Sequence, residues 1–219
     1  MELIVISHPS NFPNEGKIIT ALFEEGLETF HLRKPKWDKN KTADFLSSIP
    51  SKYHKHIVLH HHHALAKKYN IKGLHYPKKK RKNPSKTKWL IRLKRMFNKN
   101  LTYSASLHSL GSISHNDFFD YVFLSPVFDS ISKKGYGQAF TPGALKYAVN
   151  HAKTKVYALG GVSPENIVKV KEYGFAGAAL LGAVWNYDDD PVEVFKKCKT
   201  TANSHITPVT IKPIQLRVH

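Results

Sequence analysis

Residues 155–182 read KVYALGGVSPENIVKVKEYGFAGAALLG. An apolar run, Lys155–Leu159, ends on Gly160-Gly161; Ser163-Pro164 follows, and a second apolar run, Ala176–Leu181, ends on Gly182. A hydroxyl just before proline is a helix-start signal, because the side-chain oxygen accepts from an orphan amide and proline has no amide to waste. Two nearly continuous apolar runs joined by a helix make a parallel βαβ unit whose sheet is covered on both faces. Outward from this unit the pattern repeats in Leu3–Ser7, Leu27–Leu32, His56–His60, Ile71–Tyr76, Leu101–Ser106 and Tyr121–Ser125. Further helix signals are Ile18, Ile19, Leu22 and Phe23 at i, i+3, i+4 spacing, and the starts Thr141-Pro142 and Asp190-Pro191. Eight strands alternating with helices predict an α/β fold, a single (β/α)8 TIM barrel, rather than an open sheet.

The sequence has 219 residues, enough for one large domain without disulfide staples. The barrel is expected over 1–199. Residues 200–219 contain two prolines and no helical period, and are expected to form an extended or mobile tail. One cysteine, Cys198, excludes an intramolecular disulfide, and a cytoplasmic location is expected. No apolar run approaches the ~20 residues of a membrane span, so no membrane partner is expected.

Charge is unevenly distributed. The formal net charge is +18, and between Asp44 and Asp117 there is no acidic residue, while the same stretch holds 16 Lys and Arg and nine of the 14 histidines. Its densest part, Lys78–Lys82, attracts phosphates, nucleic acid or anionic lipid, yet such a field confers no specificity, and weak nonspecific polyanion binding is all it implies. Residues 77–88 read as a basic loop. Trp89–Phe97 reads as a short amphipathic helix that packs Trp89, Leu90, Leu93 and Phe97 on the barrel or on a partner.

Ligands of such barrels bind where the strands end. The residues there include Ser7, His31, Arg33, His60, His61, His75, Ser106, His108, Ser125, Ser130, Ser132, Lys133, Gly160, Gly161 and Gly182. Gly160-Gly161 and Gly182, after the seventh and eighth strands, suggest a phosphate cradle, since glycine lets backbone amides approach an oxyanion closely. Ser130, Ser132 and Lys133 lie in a loop able to close over an anion. His60–His63 is a histidine run without neighbouring carboxylates; it suits no hard ion such as magnesium, and zinc or nickel only adventitiously. No resident metal is expected. His108 is placed to exchange protons near neutral pH.

Taken together, His31-Leu32-Arg33, Ile71 through His75, Ser106-Leu107-His108-Ser109, Asp120 through Phe123, Lys133-Lys134-Gly135, Ala158 through Val162 and Gly174 through Gly182 resemble the thiamine phosphate synthase and TenI family over nearly all of residues 1–190. The resemblance implies a (β/α)8 barrel and a phosphorylated thiazole as ligand. In the synthases it implies magnesium, held by aspartates whose matching positions here are His61 and Lys80; a pyrimidine-contacting Asn corresponds to His60, and a family lysine to Pro35. TenI-like tautomerases keep the phosphate half and aromatise a thiazole carboxylate phosphate without metal. The expectation is therefore a metal-independent thiazole tautomerase, an isomerase without cofactor. In it His108 is catalytic, and Arg33, His60, His61, Ser106, Ser130, Ser132, Lys133, Gly160, Gly161 and Gly182 bind substrate. The alternatives are a magnesium-dependent thiamine phosphate synthase, a transferase, or a non-catalytic binder of a phosphorylated metabolite or nucleic acid. A homo-oligomer is compatible with all three.

Overall fold

The computed structural model describes residues 1–128, 140–186 and 188–204. Eight parallel strands close into a barrel in sequence order: β1 (Glu2–Ile6), β2 (Thr29–Leu32), β3 (Ile57–Leu59), β4 (Gly73–Tyr76), β5 (Thr102–Leu107), β6 (Tyr121–Leu124), β7 (Lys155–Leu159) and β8 (Gly177–Leu180). β1 pairs with both β2 and β8, so no strand is left with an open edge. The eight-strand reading of the sequence is correct. The helices α1 (Glu15–Glu24), α2 (Lys39–Ser48), α3 (Leu65–Lys68), α4 (Pro84–Phe97), α5 (Pro142–Asn150), α6 (Ile167–Glu172) and α7 (Pro191–Asn203) lie between and after the strands. Short 3-10 turns at Leu110–Ser112 and Ser114–Asn116 carry the crossover from β5 to β6.

Two of the three cap signals act as expected: Thr141 accepts from the Ala144 amide, and Asp190 accepts from the Val192 and Glu193 amides. Ser163 does not. The Asn166 side chain accepts from the Ser163 amide and donates to the Gly161 carbonyl, which ties residues 161–166 into a turn and delays α6 to Ile167. At the other end α7 continues through Asn203, so residues 200–203 are helical rather than tail; Ala202 is buried in the core and anchors that last turn.

α4 also differs from its expectation. It begins at Pro84 because Asn83 accepts from the Lys86 amide with proline in the first turn, a cap that the run of lysines around it obscures. Its core-facing residues are Thr87 and Ile91. Trp89 is 61% exposed and Phe97 84%, so of the two expected places for the apolar side, the barrel or a partner, the barrel is ruled out for these residues.

The barrel has two apolar layers. Between sheet and helices lies a large core including Val5, Leu22, Phe30, Leu46, Ile57, Leu59, Ile91, Leu124 and Phe195. Inside the barrel a smaller group, Ile4, Ile6, Tyr121, Phe123, Tyr157 and Ala179, comes from alternate strand positions. The lumen interleaves large and small residues. Tyr157 stands opposite Gly177 in the β7–β8 register, and a Cβ on Gly177 would lie 2.3 Å from the Glu2 carbonyl oxygen and 2.6 Å from the Tyr157 ring. The backbone of β1 cannot retreat without opening the closure. Gly177→Ala is therefore expected to destabilise the protein by about 1–3 kcal/mol, as overpacking typically does. The check is the urea midpoint at unchanged slope; an unchanged midpoint would show that the lumen has slack.

Candidate functional site

Above the apolar lumen the inward-facing residues turn polar. His31, His60 and His75 come from the ends of β2, β3 and β4; all three are buried. The His31 Nδ1 and His60 Nε2 atoms are 2.9 Å apart, and His31 Nε2 is 2.7 Å from the Tyr121 hydroxyl. His75 lies between two serines of β5, with Nδ1 2.9 Å from Ser104 Oγ and Nε2 3.0 Å from Ser106 Oγ. The His60 and His75 rings stack with centroids 4.0 Å apart. Burial holds all three imidazoles neutral: it pushes His31 down to about 3, with the Lys72 charge adding to it, and pushes His60 and His75 well below their ordinary value, with the neighbouring histidines of the group adding to it.

Ring nitrogens of these histidines lie within 4.8 Å of one another, the one such metal-ligating cluster among the described residues. A zinc-type ion would have to break the His31–His60 bond. It would also stand uncompensated, with Lys72, Arg33 and Arg81 as charged neighbours acting on these rings. The arrangement serves better as a neutral hydrogen-bonded network. The histidine run is dispersed: His60 enters the lumen, His61 is half-buried at the mouth, His62 bonds to the Trp37 carbonyl and His63 to the His75 carbonyl.

Around the mouth the cations are also engaged. The Arg81 guanidinium donates to the carbonyls of Tyr76 (3.0 Å) and Ser106 (2.6 Å) and to Asn116 Oδ1 (3.1 Å), joining the ends of β4 and β5. Nothing in the basic run distinguishes Arg81 from its neighbours in sequence. Lys80 Nζ donates to the His60 carbonyl at 3.3 Å. Arg33 is half-buried; its amide donates to Ser7 Oγ, which returns a bond to the Arg33 carbonyl. Lys34, beside the family lysine position, is not available to a ligand: its ammonium is buried against the Glu15 carboxylate and also donates to the Ser10 carbonyl. Burial pushes Glu15 up and Lys34 down, and their mutual attraction opposes both shifts.

On the far side, the loops after β6 and β7 are joined by amides of Val127 and Phe128 donating to the carbonyls of Leu159 and Gly160. Gly160 has φ +91°, and a Cβ there would meet the Pro126 backbone at 3.0 Å, so glycine is required twice over. Gly161 also has positive φ. Gly182 is exposed and open: a Cβ at this position would meet no atom within 4 Å, so no steric need accounts for this glycine. Ser106 is half-buried and His108 exposed, and His108 Nδ1 lies 2.9 Å from the Ser125 carbonyl oxygen. A carbonyl only accepts, so Nδ1 carries the hydrogen and the neutral ring keeps its lone pair on Nε2. Ser130, Ser132 and Lys133 lie outside the described residues.

Magnesium does not fit the ends of β3 and β4. His61 is an imidazole kept neutral by burial and by Lys80, and Lys80 is itself a cation, so neither supplies the oxygen ligands that a hard ion requires.

The buried imidazoles generate a pH prediction. They stay unprotonated in the fold but ionise near 6.5 in the unfolded chain, which therefore binds more protons below that pH. Stability is expected to fall as pH drops from about 6.5 toward 3, by up to ~1.4 kcal/mol per pH unit for each histidine held neutral. Urea unfolding at pH 7, 6 and 5 measures the slope, and His31→Phe should make it shallower; a flat profile would contradict the neutral network.

The profile of the family described as thiamine monophosphate synthase matches residues 3–184. Among curated proteins, the thiamine-phosphate synthase of Methanosarcina mazei is 31% identical over 91 residues, 39% of this chain and 38% of that protein. That of Limosilactobacillus reuteri is 34% identical over 83 residues, 38% of each chain. The chain thus spans under two fifths of the length of these relatives. The crystal structure of a thiamine phosphate pyrophosphorylase from Bacteroides thetaiotaomicron is 35% identical, covers 94% of this chain and all of its own, and superposes with a TM-score of 0.76. A thiamine phosphate pyrophosphorylase from Pyrococcus furiosus, at 17% identity and a TM-score of 0.72, shares the fold over 92% of this chain and 95% of its own. With a closed barrel, a matching profile over residues 3–184 and its own polar mouth, the chain belongs to the thiamine monophosphate synthase family.

Proposed function

We propose that the protein is a metal-independent, TenI-like thiazole tautomerase that moves a proton on a thiazole carboxylate phosphate. The observation that carries this reading is a histidine after β5, His108, with its tautomer set by the Ser125 carbonyl; beside it, the resemblance puts an imidazole, His61, and a lysine, Lys80, at the positions where the synthases carry aspartates. A leaving pyrophosphate calls for a hard cation, whereas a proton shift calls for a base near neutral pH and an anion-attracting surround.

In this reading the phosphate sits against amides of the Gly160-Gly161 turn and near Gly182, and Arg33 and Lys80 draw the carboxylate toward the mouth. His108 Nε2 takes a proton from a ring carbon; the electron pair left behind delocalises into the heterocycle, and the imidazolium returns the proton at a second ring position. The substrate loses and gains one proton, so the formula is unchanged and the ring becomes aromatic. Ser106, bonded to the buried His75, supplies a hydroxyl at the edge of the same space. Ser130, Ser132 and Lys133 are proposed as further anion contacts on the sequence resemblance alone.

The names of the relatives support a second reading, thiamine phosphate synthase. There the basic mouth would neutralise pyrophosphate, though lysine and arginine do not reproduce an octahedral template. On the first reading, His108→Ala lowers kcat for the tautomer conversion by about 100- to 10,000-fold with little change in KM, and a chelator leaves the wild-type rate intact. Full turnover by His108→Ala in a folded preparation, followed by absorbance of the aromatic product, would remove the assignment.

A further inference from the structure

α4 presents a face that the barrel does not use. Its 14 residues bury Thr87 and Ile91 against the sheet, while Trp89, Leu93, Met96 and Phe97, spaced i, i+4, i+7 and i+8, form one stripe on the opposite side. They are 61%, 36%, 75% and 84% exposed, and they are four of the five exposed large hydrophobic side chains among the described residues. The fifth, Tyr147, lies in α5 and stacks on His151. A contiguous apolar stripe of this kind marks a contact surface rather than ordinary surface variation.

The flanks of the stripe are basic. Lys86 and Arg92 are exposed on α4, Lys78, Lys79 and Lys82 are exposed just before it, and Lys99 just after it. Lys94 and Arg95 are differently employed, donating to the Tyr76 hydroxyl and to Asp120. We infer that α4 is a membrane-surface helix that lays Trp89, Leu93, Met96 and Phe97 into an anionic lipid bilayer while its basic flanks contact the headgroups.

Charge complementarity selects this occupant. A second copy would bring the same basic flank against itself in a chain of net charge +18. A nucleic acid would satisfy the lysines but has no apolar layer for Met96 and Phe97. An anionic bilayer satisfies both, with tryptophan suited to the headgroup level and basic residues to the surface potential. At ~1.5 Å rise per residue the helix is about 20 Å long, so it lies in the plane of the interface rather than crossing it. Among the described residues no helix is long and apolar enough to cross a membrane. The absence of a spanning segment, on which the expectation of no membrane partner rests, leaves such surface attachment open.

The test is flotation of the full chain with phosphatidylcholine vesicles and with vesicles containing about 30% phosphatidylserine. The wild type is expected to float with the anionic vesicles only, at least tenfold less at ~0.5 M salt, with a blue shift in tryptophan emission that Trp89→Phe removes. Trp89→Ser/Met96→Ser/Phe97→Ser is expected to lose at least tenfold in binding at an unchanged Tm, and Lys86→Glu/Arg92→Glu likewise. No flotation, or flotation untouched by the apolar triple variant, overturns the inference. So does a dimer in light scattering that the triple variant dissociates without any vesicle binding, or binding to duplex DNA in place of vesicles. None of these outcomes depends on the reaction at the barrel mouth.

Discussion

A closed eight-stranded barrel must fill its own lumen, and here the upper part of that lumen is filled by imidazoles. His31, His60 and His75 occupy positions where a barrel of this kind ordinarily holds branched aliphatic residues. A ring that size fills the space, but its nitrogens have to be satisfied and its proton kept off. Tyr121, Ser104 and Ser106 do the first, through bonds of 2.7–3.0 Å, and burial does the second. With the imidazoles neutral the strand ends can approach one another, and Arg81 can span β4 and β5 without a buried counter-charge on its partners. The residues of the mouth, His61 and Ser106 among them, stand on top of that layer.

The same layer determines the electrostatics of the site. The mouth is floored by neutral rings and rimmed by Arg33, Lys80 and Arg81, without a carboxylate among these residues. In the loops on the opposite side, Gly160 gives up its side chain so that the turn after β7 can lie against Pro126. The two halves differ in their groups: glycine turns follow β7, whereas His61 and Lys80 bring an imidazole and an ammonium after β3 and β4.

Much of this is legible in sequence. The strands are readable because parallel strands covered on both faces are continuous apolar runs, and the Thr141 and Asp190 caps because their geometry is local. What escapes is what depends on three dimensions. The convergence of His31, His60 and His75 is a product of barrel closure, whereas the histidine run at 60–63 groups neighbours in sequence that diverge in space. Ser163 has the sequence of a cap, but the Asn166 side chain competes for the same turn. α4 carries an ordinary amphipathic period, and periodicity cannot say which face a helix turns inward; the small Thr87–Ile91 side wins because it fits against the sheet. Lys34 and Arg81 are indistinguishable from other cations in sequence, and only Glu15 and the β4–β5 carbonyls give them places.

On the proposed reading, this mouth works without a metal and does not join two substrates. The most direct measurement is thiamine phosphate formation from the aminopyrimidine pyrophosphate and the thiazole phosphate, with and without magnesium, beside a known active synthase. No product is expected in either condition while the control turns over and the thiazole carboxylate phosphate is aromatised. Robust magnesium-dependent thiamine phosphate formation would contradict that reading, and would show that the basic mouth around His61 and Lys80 supports the synthase reaction.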